Sequence, residues 1–311
     1  MARSCLAVSI SFSEYSGSRE AILVPMNDNS LGERAMTNVD PAATGKIVKA
    51  GDYDVHYHEA GEGPPVIMLH GGGPGATGWS NFAGNLPAFA KSHRTLLVDM
   101  LGFGKSASAV YDKEAATTVR ARALRDLMDV LGIERTSFVG NSMGGTVASA
   151  FAVDYPDRVD KLVLIGASGM SRTLLAPQPT EGHRRITEAV NDPTVETMQA
   201  LINVMLYDPS IVSKEMIEDR VAAARNAAHR DAAARSTAPW RDQSQEFARI
   251  KAKTLITWGR EDRVNPLEIG LFLFREIPDS RMYIFKYCGH WAQIEHRDEF
   301  NRVALDFLGS D

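Results

Sequence analysis

The sequence has few cysteines, no long apolar run and no block of basic charge. Only two cysteines occur among its 311 residues, Cys5 and Cys288. So few thiols cannot form a disulfide framework, and they indicate a reducing compartment, so we expect a cytoplasmic protein. No apolar run approaches the roughly 20 residues that cross a bilayer, which argues against a membrane partner. The net charge of −5, without clustered lysine or arginine, argues against a nucleic-acid partner.

What remains is the composition of a soluble globular enzyme, with 44% hydrophobic and 23% charged residues. Residues 1–45 are different, because they carry Ser, Asn, Gly and Glu without any sustained periodicity. A signal peptide around residues 5–12 is the alternative interpretation, but that apolar run is short and broken by serines. We predict that residues 1–45 form a disordered extension, and we assign them no function.

Short apolar segments and helical patterns alternate through the rest of the chain. The predicted strands are residues 53–59, 65–69, 95–98, 137–139, 162–165, 254–257 and 282–285. The predicted helices are residues 116–131, 145–155, 266–277 and 298–308. Continuous apolar strands belong in a sheet that is covered on both faces, and their alternation with helices predicts an α/β fold with a mostly parallel sheet flanked by helices.

Residues 169–245 interrupt this alternation, because they are rich in Ala, Arg and Glu and contain no convincing strand. They follow one predicted strand and precede the next, so they would lie over the carboxyl ends of the strands, where α/β sheets place their sites. We predict a helical cap at 169–245 on a core formed by residues 46–168 and 246–311. A solvated helical bundle without special purpose is the alternative.

The segment Gly140-Asn141-Ser142-Met143-Gly144-Gly145 directly follows the apolar residues 136–139. A strand followed at once by G-x-S-x-G is typical of a nucleophile elbow, a sharp turn that leaves the serine hydroxyl exposed at the tip of the strand. The small residues that come next suit a helix packed closely on the sheet. We therefore predict that Ser142 is a nucleophile.

A serine nucleophile needs a base and an acid that orients the base. His290 comes just after the predicted strand 282–285, and Asp262 comes just after the strand 254–257. The chain order Ser142, Asp262, His290 is the order of an α/β-hydrolase triad. In this interpretation His290 accepts the hydroxyl proton, while Asp262 fixes its tautomer and stabilises the imidazolium.

Glu261 is the alternative to Asp262, but the shorter side chain better suits a fixed orienting role. Other histidines lack a position of this kind after a strand, and we interpret them as surface or packing residues. They are His56, His58, His93, His183, His229 and His296.

The glycine-rich segment His70-Gly71-Gly72-Gly73-Pro74-Gly75 follows the predicted strand 65–69. Its glycines let the backbone approach a substrate oxygen closely, so we assign the backbone N–H groups of Gly72 and Met143 to an oxyanion hole. A flexible turn is the alternative. Loss of one such donor typically raises the barrier by about 3 kcal/mol.

We expect neither a metal nor an organic cofactor. Asp262 and His290 lack a third ligand at metal-site spacing, and the sequence contains no G-x-x-x-x-G-K-[ST] phosphate loop.

Taken together, these motifs resemble the meta-cleavage product hydrolases, which are carbon–carbon bond hydrolases of bacterial aromatic degradation. The resemblance runs from about residue 51 to the C-terminus and leaves residues 1–45 without a counterpart. The stretches that carry it are residues 70–76, 79–81, 140–145, 259–263 and 288–293, with Leu206-Tyr207-Asp208 and Arg220 in the predicted cap.

The resemblance implies substrates of the 2-hydroxy-6-oxohexa-2,4-dienoate class with an aryl or alkyl group on C6, of which we expect the 6-phenyl compound. Water would add across the C5–C6 bond to give 2-hydroxypenta-2,4-dienoate and a carboxylic acid. It also implies that Gly73, Asn81, Asn141, Arg220 and Trp291 bind the dienoate, and that the chain is a homo-oligomer, a dimer or larger. A guanidinium suits a carboxylate, and amides can bond the 2-oxo or enol oxygen.

Two mechanisms stay open at this point: ketonisation followed by an acyl-enzyme on Ser142, or direct activation of water by Ser142. Several other functions also use this fold. A carboxylesterase or a proline iminopeptidase would share the triad, whereas epoxide hydrolases and haloalkane dehalogenases place Asp at the nucleophile position. A non-catalytic ligand receptor would not need an intact triad.

Overall fold

The computed structural model describes residues 40–170 and 175–310, which belong to one unit of the chain, Met36–Asp311. Most of the predicted extension, including Cys5, lies outside the described residues. Its predicted end at residue 45 is wrong, because Pro41–Thr44 forms a helical turn and Gly45 begins a strand. The side chain of Asp40 caps that turn by accepting a hydrogen bond from the Ala42 N–H.

The described strands form one eight-stranded sheet in the order β1-β2-β4-β3-β5-β6-β7-β8. They are β1 Gly45–Ala50, β2 Tyr53–Ala60, β3 Pro65–Leu69, β4 Arg94–Val98, β5 Thr136–Asn141, β6 Val159–Ile165, β7 Lys253–Gly259 and β8 Ser280–Phe285. Strand β2 pairs antiparallel with β1 and β4, and the other pairs are parallel. The predicted α/β fold with a mostly parallel sheet is confirmed.

The helices of the described residues are α1 Pro41–Thr44, α2 Gly78–Phe82, α3 Leu86–Phe89, α4 Ala116–Val130, α5 Met143–Asp154, α6 Glu181–Asn191, α7 Val195–Met205, α8 Lys214–Ala224, α9 Ala227–Ala234, α10 Leu267–Glu276, α11 Ala292–Glu295 and α12 Arg297–Gly309. Short 3₁₀ turns lie at Pro156–Arg158, Pro209–Ile211 and Phe247–Arg249. The four predicted helices are confirmed to within two residues at each end.

The strand β1 and the short helices α2 and α3 were not predicted. β1 is an edge strand, largely exposed along its length, so its apolar residues do not alternate clearly with polar ones. Helix α2 is a single turn that begins at a capping box between Thr77 and Ser80, which is too short to produce a helical period.

Apolar side chains cover both faces of the sheet. On one face Phe138, Phe151 and Trp258 are fully buried, and on the other face Phe285 and Phe300 are. Complete burial of one large apolar side chain contributes roughly 1.5–3 kcal/mol. The two covered faces explain why the strands read as continuous apolar runs, and they give the loops at the strand ends a rigid base.

Helices α6–α9 lie between β6 and β7, so the region without predicted strands is helical in its described part. These helices share an apolar cluster with the loops that follow β7 and β8, in which Leu201 and Ile217 join Val264 and Trp291. Backbone hydrogen bonds strengthen the contact, since the N–H of His290 donates to the Met205 carbonyl. The helices are therefore packed directly against the loops that carry Asp262 and His290.

Candidate active site

Ser142 occupies the turn between β5 and α5, and its backbone is strained. Its φ of 51° and ψ of −116° lie outside the regions that non-glycine residues favour. The sheet holds this conformation in place, because the Ser142 N–H donates to the Ile165 carbonyl at the end of β6. Strain of this kind persists only where the surrounding structure enforces it, and it occurs often at active sites.

The glycines on either side of Ser142 are required by close packing. A Cβ on Gly140 would lie 2.6 Å from the backbone of Gly144, and a Cβ on Gly144 would lie 2.1 Å from the Leu69 carbonyl oxygen. Real Cβ atoms do not approach other atoms so closely, so G-x-S-x-G is a geometric requirement of this turn.

His290 and Asp262 form a buried pair. Nδ1 of His290 lies 2.7 Å from Oδ2 of Asp262, and both side chains are almost completely buried. The other carboxylate oxygen of Asp262 accepts hydrogen bonds from the backbone N–H groups of Val264 and Asn265, which fixes the carboxylate. Nε2 of His290 is buried and has no hydrogen-bond partner among the described residues.

Glu261 does not face His290. Its Oε2 accepts a hydrogen bond from the backbone N–H of Cys288, and its Oε1 pairs with Arg260. The structure therefore brings Asp262, and not Glu261, to the imidazole. Cys288 is buried as a thiol, because burial raises its pKa far above the ordinary value.

Gly166 lies directly against the Asp262–His290 pair. It has a positive φ of +50°, and a Cβ at this position would lie 3.1 Å from Nδ1 of His290 and 3.2 Å from Oδ2 of Asp262. Because Gly166 has no side chain, the imidazole of His290 and the carboxylate of Asp262 have the space to contact each other.

The glycine-rich loop after β3 lies beside the start of α5. A Cβ on Gly72 would lie 3.2 Å from the Cβ of Met143, so the two residues predicted to form the oxyanion hole are neighbours. His70 supports the loop from below: its Nδ1–H donates to the Gly71 carbonyl, and its Nε2 accepts from the Met100 N–H. Complete burial lowers the pKa of His70 to about 4, so the ring is neutral at pH 7.

The predicted site residues other than Asp262 line one cavity of about 120 Å³. Its lining includes Gly72, Gly73, Asn81, Asn141, Ser142, Met143, Arg220, His290 and Trp291. Ser142 and His290 share this cavity, and no hydrogen bond joins them. A larger groove of about 680 Å³ lies near the starts of β6, β7 and β8 and contains none of these residues.

Arg220 reaches this cavity from helix α8 and is only 5% exposed. Its guanidinium lies 5.1 Å from the Trp291 ring centroid and donates one hydrogen bond to the Pro74 carbonyl. Its Nε has no partner, and no carboxylate of the described residues lies within 4.0 Å of it. Burial lowers the pKa of Arg220 to about 10, which leaves a buried cation at pH 7 without an anion.

The two asparagines make different contacts. Asn141 donates through its Nδ2 to the backbone carbonyls of Ile165 and His290, while its Oδ1 is buried without a described partner. Asn81 uses its Oδ1 to accept a hydrogen bond from the Gly71 N–H, which holds the glycine-rich loop. Both side chains line the cavity.

A second cavity, of about 320 Å³, adjoins the first at Ser142, Met143 and His183, which line both. Arg120 of helix α4 also lines the second cavity. His183, interpreted from the sequence as a surface or packing residue, thus lines both cavities. Nothing in the local sequence indicated that either residue lines a cavity, because Arg120 and His183 lie on different helices and only the tertiary fold brings both to Ser142.

No group of three or more His, Cys, Asp or Glu side chains is arranged to hold a metal ion in residues 40–170 and 175–310. In the same part of the chain, no helix has both the length and the apolar character that a membrane span needs.

Comparison with known proteins identifies the family of the chain. A model of the α/β hydrolase fold family matches residues 64–297. The 2-hydroxy-6-oxo-6-phenylhexa-2,4-dienoate hydrolase of Comamonas testosteroni is 45% identical over 284 residues, which cover 88% of this chain and 99% of that protein. The 2-hydroxy-6-oxononadienedioate/2-hydroxy-6-oxononatrienedioate hydrolase of the same organism is 42% identical over 287 residues, which cover 88% and 100%.

Solved structures of meta-cleavage product hydrolases are also similar to this chain. A meta-cleavage product hydrolase from Pseudomonas fluorescens IP01, a serine-to-alanine mutant complexed with acetates, matches with a TM-score of 0.74 and 32% identity over 86% of this chain and 98% of that chain. The family model spans most of this sequence, and the relatives align over almost their full lengths. The chain therefore belongs to the α/β hydrolase fold family and, within it, to the meta-cleavage product hydrolases.

Proposed function

We propose that this chain hydrolyses the C5–C6 bond of 2-hydroxy-6-oxohexa-2,4-dienoates, including the 6-phenyl compound, with Ser142, His290 and Asp262 as its catalytic triad. One observation carries the proposal: the cavity that holds Ser142 and His290 also holds Arg220, a buried cation with no carboxylate partner among the described residues. A simple esterase has no need of such a cation, whereas a dienoate substrate supplies the missing anion.

The dienoate carboxylate binds Arg220 in this proposal, and Trp291 keeps the guanidinium in place through its ring face. The free Oδ1 of Asn141 accepts a hydrogen bond from the 2-hydroxyl, and Nδ2 of Asn81 donates to the 2-hydroxy or 2-oxo oxygen. A side chain at Gly73 would meet the guanidinium of Arg220 at 3.2 Å, so its absence leaves room for the substrate.

The first chemical step is ketonisation. The proton of the 2-hydroxyl leaves, the double bonds shift, and a proton is added at C5, so that C5 becomes a saturated carbon between the C6 ketone and the C3–C4 double bond. A carbanion is a poor leaving group, but one formed at C5 of this tautomer is conjugated through C3 and C4 to the C2 oxygen. The donor that binds the C2 oxygen, Nδ2 of Asn81, therefore also stabilises the leaving group.

Ser142 then attacks the C6 carbonyl while Nε2 of His290 takes its proton, and Asp262 stabilises the imidazolium. The oxyanion is bound by the backbone N–H groups of Gly72 and Met143. The C5–C6 bond breaks, its electron pair moves through C4 and C3 to the C2 oxygen, and the acyl group stays on Ser142. The proton that His290 accepted passes to the C2 oxygen of the leaving group, which gives 2-hydroxypenta-2,4-dienoate and a neutral imidazole. Water activated by His290 then releases the carboxylic acid. A nucleophile and its base are often apart without substrate and approach when it binds.

The insertion at residues 169–245 acts as a cap in this proposal. It supplies Arg220 and His183 to cavities that the core lines with residues such as Ser142 and Met143. By covering Ser142 it would limit water at the ketonisation step. We also propose a cytoplasmic homo-oligomer, a dimer or larger, on the basis of the low cysteine content and the family resemblance.

The test uses the yellow ring-fission products of 2,3-dihydroxybiphenyl and 3-methylcatechol, whose bleaching reports C–C hydrolysis. We expect rapid bleaching of the biphenyl-derived compound, with benzoate and 2-hydroxypenta-2,4-dienoate formed in equal amounts. Absence of bleaching with both compounds, together with brisk cleavage of p-nitrophenyl esters, would show an esterase instead.

A further inference from the structure

We propose that Arg120 binds an anionic group at the far end of the C6 substituent, so that the enzyme favours substrates in which an aryl or alkyl substituent carries a carboxylate. This inference rests on the proposed C–C hydrolysis and specifies the part of the substrate that the triad and Arg220 leave undetermined.

The two cavities determine where the substituent lies. When the C6 carbonyl is at Ser142, the dienoate arm extends into the smaller cavity, because Arg220 lines that cavity and does not line the second one. The C6 substituent must therefore extend to the other side, into the cavity of about 320 Å³ that shares Ser142 and Met143 with the first. Arg120 lines this second cavity.

Arg120 is held in position by neutral groups only. Its Nε donates to the Leu101 carbonyl at 3.2 Å, and its Nη1 lies 3.3 Å from Sδ of Met143. The guanidinium carbon lies 5.4 Å from the ring centroid of Phe103 and 5.1 Å from that of Tyr111. Two aromatic faces fix the plane of a cation whose side chain already reaches the residue next to Ser142.

No Asp or Glu of the described residues pairs with Arg120, and none lines the second cavity. Arg241, which lines the same cavity, is different: its Nη1 lies 2.7 Å from Asp154 and its Nη2 lies 2.9 Å from Glu246. Arginine stays protonated in proteins, so Arg120 brings an uncompensated positive charge to this cavity.

The rest of the lining is also suited to a polar end group. Thr117, Ser168 and Ser236 contribute hydroxyl groups. His183 lies where the two cavities meet, and its pKa is lowered by burial and by the nearby His290, so its neutral ring can offer one N–H donor. A purely apolar substituent would remove water from these groups without replacing their hydrogen bonds, which is unfavourable.

The experiment compares two substrates of equal length. In 2-hydroxy-6-oxonona-2,4-dienoate the C6 substituent is a propyl group, and in 2-hydroxy-6-oxonona-2,4-dienedioate a carboxylate replaces its terminal methyl group. For the wild-type enzyme we expect kcat/KM to be about tenfold or more higher for the dioate, the size of one charged hydrogen bond. In Arg120→Met this ratio should fall to about one, mainly through KM of the dioate.

Arg120→Lys, which keeps the charge, should retain part of the preference. Arg122→Met is the matched control, because Arg122 lies on the same helix but is exposed and paired with Glu114, and the ratio should stay within about twofold of wild type. Continued turnover of the propyl compound shows that Arg120→Met is folded.

The inference is overturned if the wild type shows no preference for the dioate, or if Arg120→Met keeps the wild-type ratio. It is also overturned if that variant slows both substrates equally, because the arginine would then act on the reaction centre or the fold. Each of these results leaves C–C hydrolysis intact, whereas failure of the wild type to cleave either compound overturns the proposed function as well.

Discussion

Oδ2 of Asp262 lies 2.7 Å from Nδ1 of His290, although the two residues are 28 positions apart in the chain. Only Oδ2 is available to the imidazole, because backbone N–H groups of the following turn donate hydrogen bonds to Oδ1. These hydrogen bonds fix the orientation of the Asp262 carboxylate independently of its contact with His290. It holds the ring so that Nε2 is the nitrogen without a partner.

We expect Asp262→Asn to lower kcat by roughly a thousandfold or more, because an amide favours the wrong tautomer of His290 and cannot stabilise the imidazolium. Steady-state bleaching of the dienoate measures the effect. Glu261→Gln is the matched control and should stay within about fivefold of wild type, since Glu261 contacts Cys288 and Arg260 instead. Similar losses in the two variants would argue against the assignment.

Ser142→Ala should bind the dienoate but lose at least about a thousandfold in kcat, because the acyl-enzyme cannot form. Binding is measured from the shift of the substrate's visible absorption on mixing. Turnover within a few-fold of wild type would remove the serine hydroxyl from the mechanism.

Replacement of Arg220 by methionine should lower kcat/KM for dienoates by about a hundredfold, because it removes a buried charged contact to the carboxylate. Lys214→Met, on the exposed side of the same helix α8, is the control and should change little. An uncharged p-nitrophenyl ester should be cleaved at nearly the same rate by both variants. Equal losses on ester and dienoate would show that Arg220 supports the fold and not substrate binding.

Gly166→Ala tests whether the catalytic pair of Asp262 and His290 needs the space that the absent side chain of Gly166 leaves. The positive φ should cost about 1–2 kcal/mol of unfolding free energy, and the new methyl group should displace His290 and lower kcat by about tenfold or more. Gly309→Ala is the control, because a Cβ there meets nothing within 4 Å. Denaturant unfolding and dienoate turnover are measured on both, and normal kcat in Gly166→Ala would contradict the structure.

His70 makes the stability of the fold depend on pH. Its pKa is about 4 in the folded protein and 6.5 in a free side chain, so between these values the unfolded chain binds a proton that the folded protein does not. Stability is therefore retained above pH 6.5 and lost as the pH falls toward 4. We expect the wild type to lose about 2 kcal/mol more than His70→Gln between pH 7 and pH 5, measured by urea unfolding. Parallel curves for the two proteins would contradict this.

Local features of the sequence were enough to predict the elbow, seven of the eight described strands and the candidate triad. An elbow needs small residues at Gly140 and Gly144 because of contacts made within a few residues and with the adjacent strand, so the requirement is visible in the local sequence. Buried strands need apolar residues on both faces, which also leaves a local pattern. The choice of Asp262 over Glu261 rested on side-chain length and agrees with the observed contact.

Other features depended on packing between distant segments. Helix α1 and strand β1 at the start of the described chain are too short or too exposed to leave a period, so the end of the extension was placed too late. The insertion leaves helical patterns in the sequence, but the pattern of one helix does not show which of its polar residues faces a cavity. For this reason the sequence did not show that His183 lines a cavity.

The sequence by itself determined the fold class, the turn at Ser142 and the chain order of the acid and the base, because these follow from local sterics and from the ends of parallel strands. Only the tertiary structure decided which charges face the two cavities. Arg120 and Arg241 both line the larger one, yet Asp154 and Glu246 neutralise Arg241 alone. Such pairing depends on contacts between residues far apart in the chain, which no local pattern encodes.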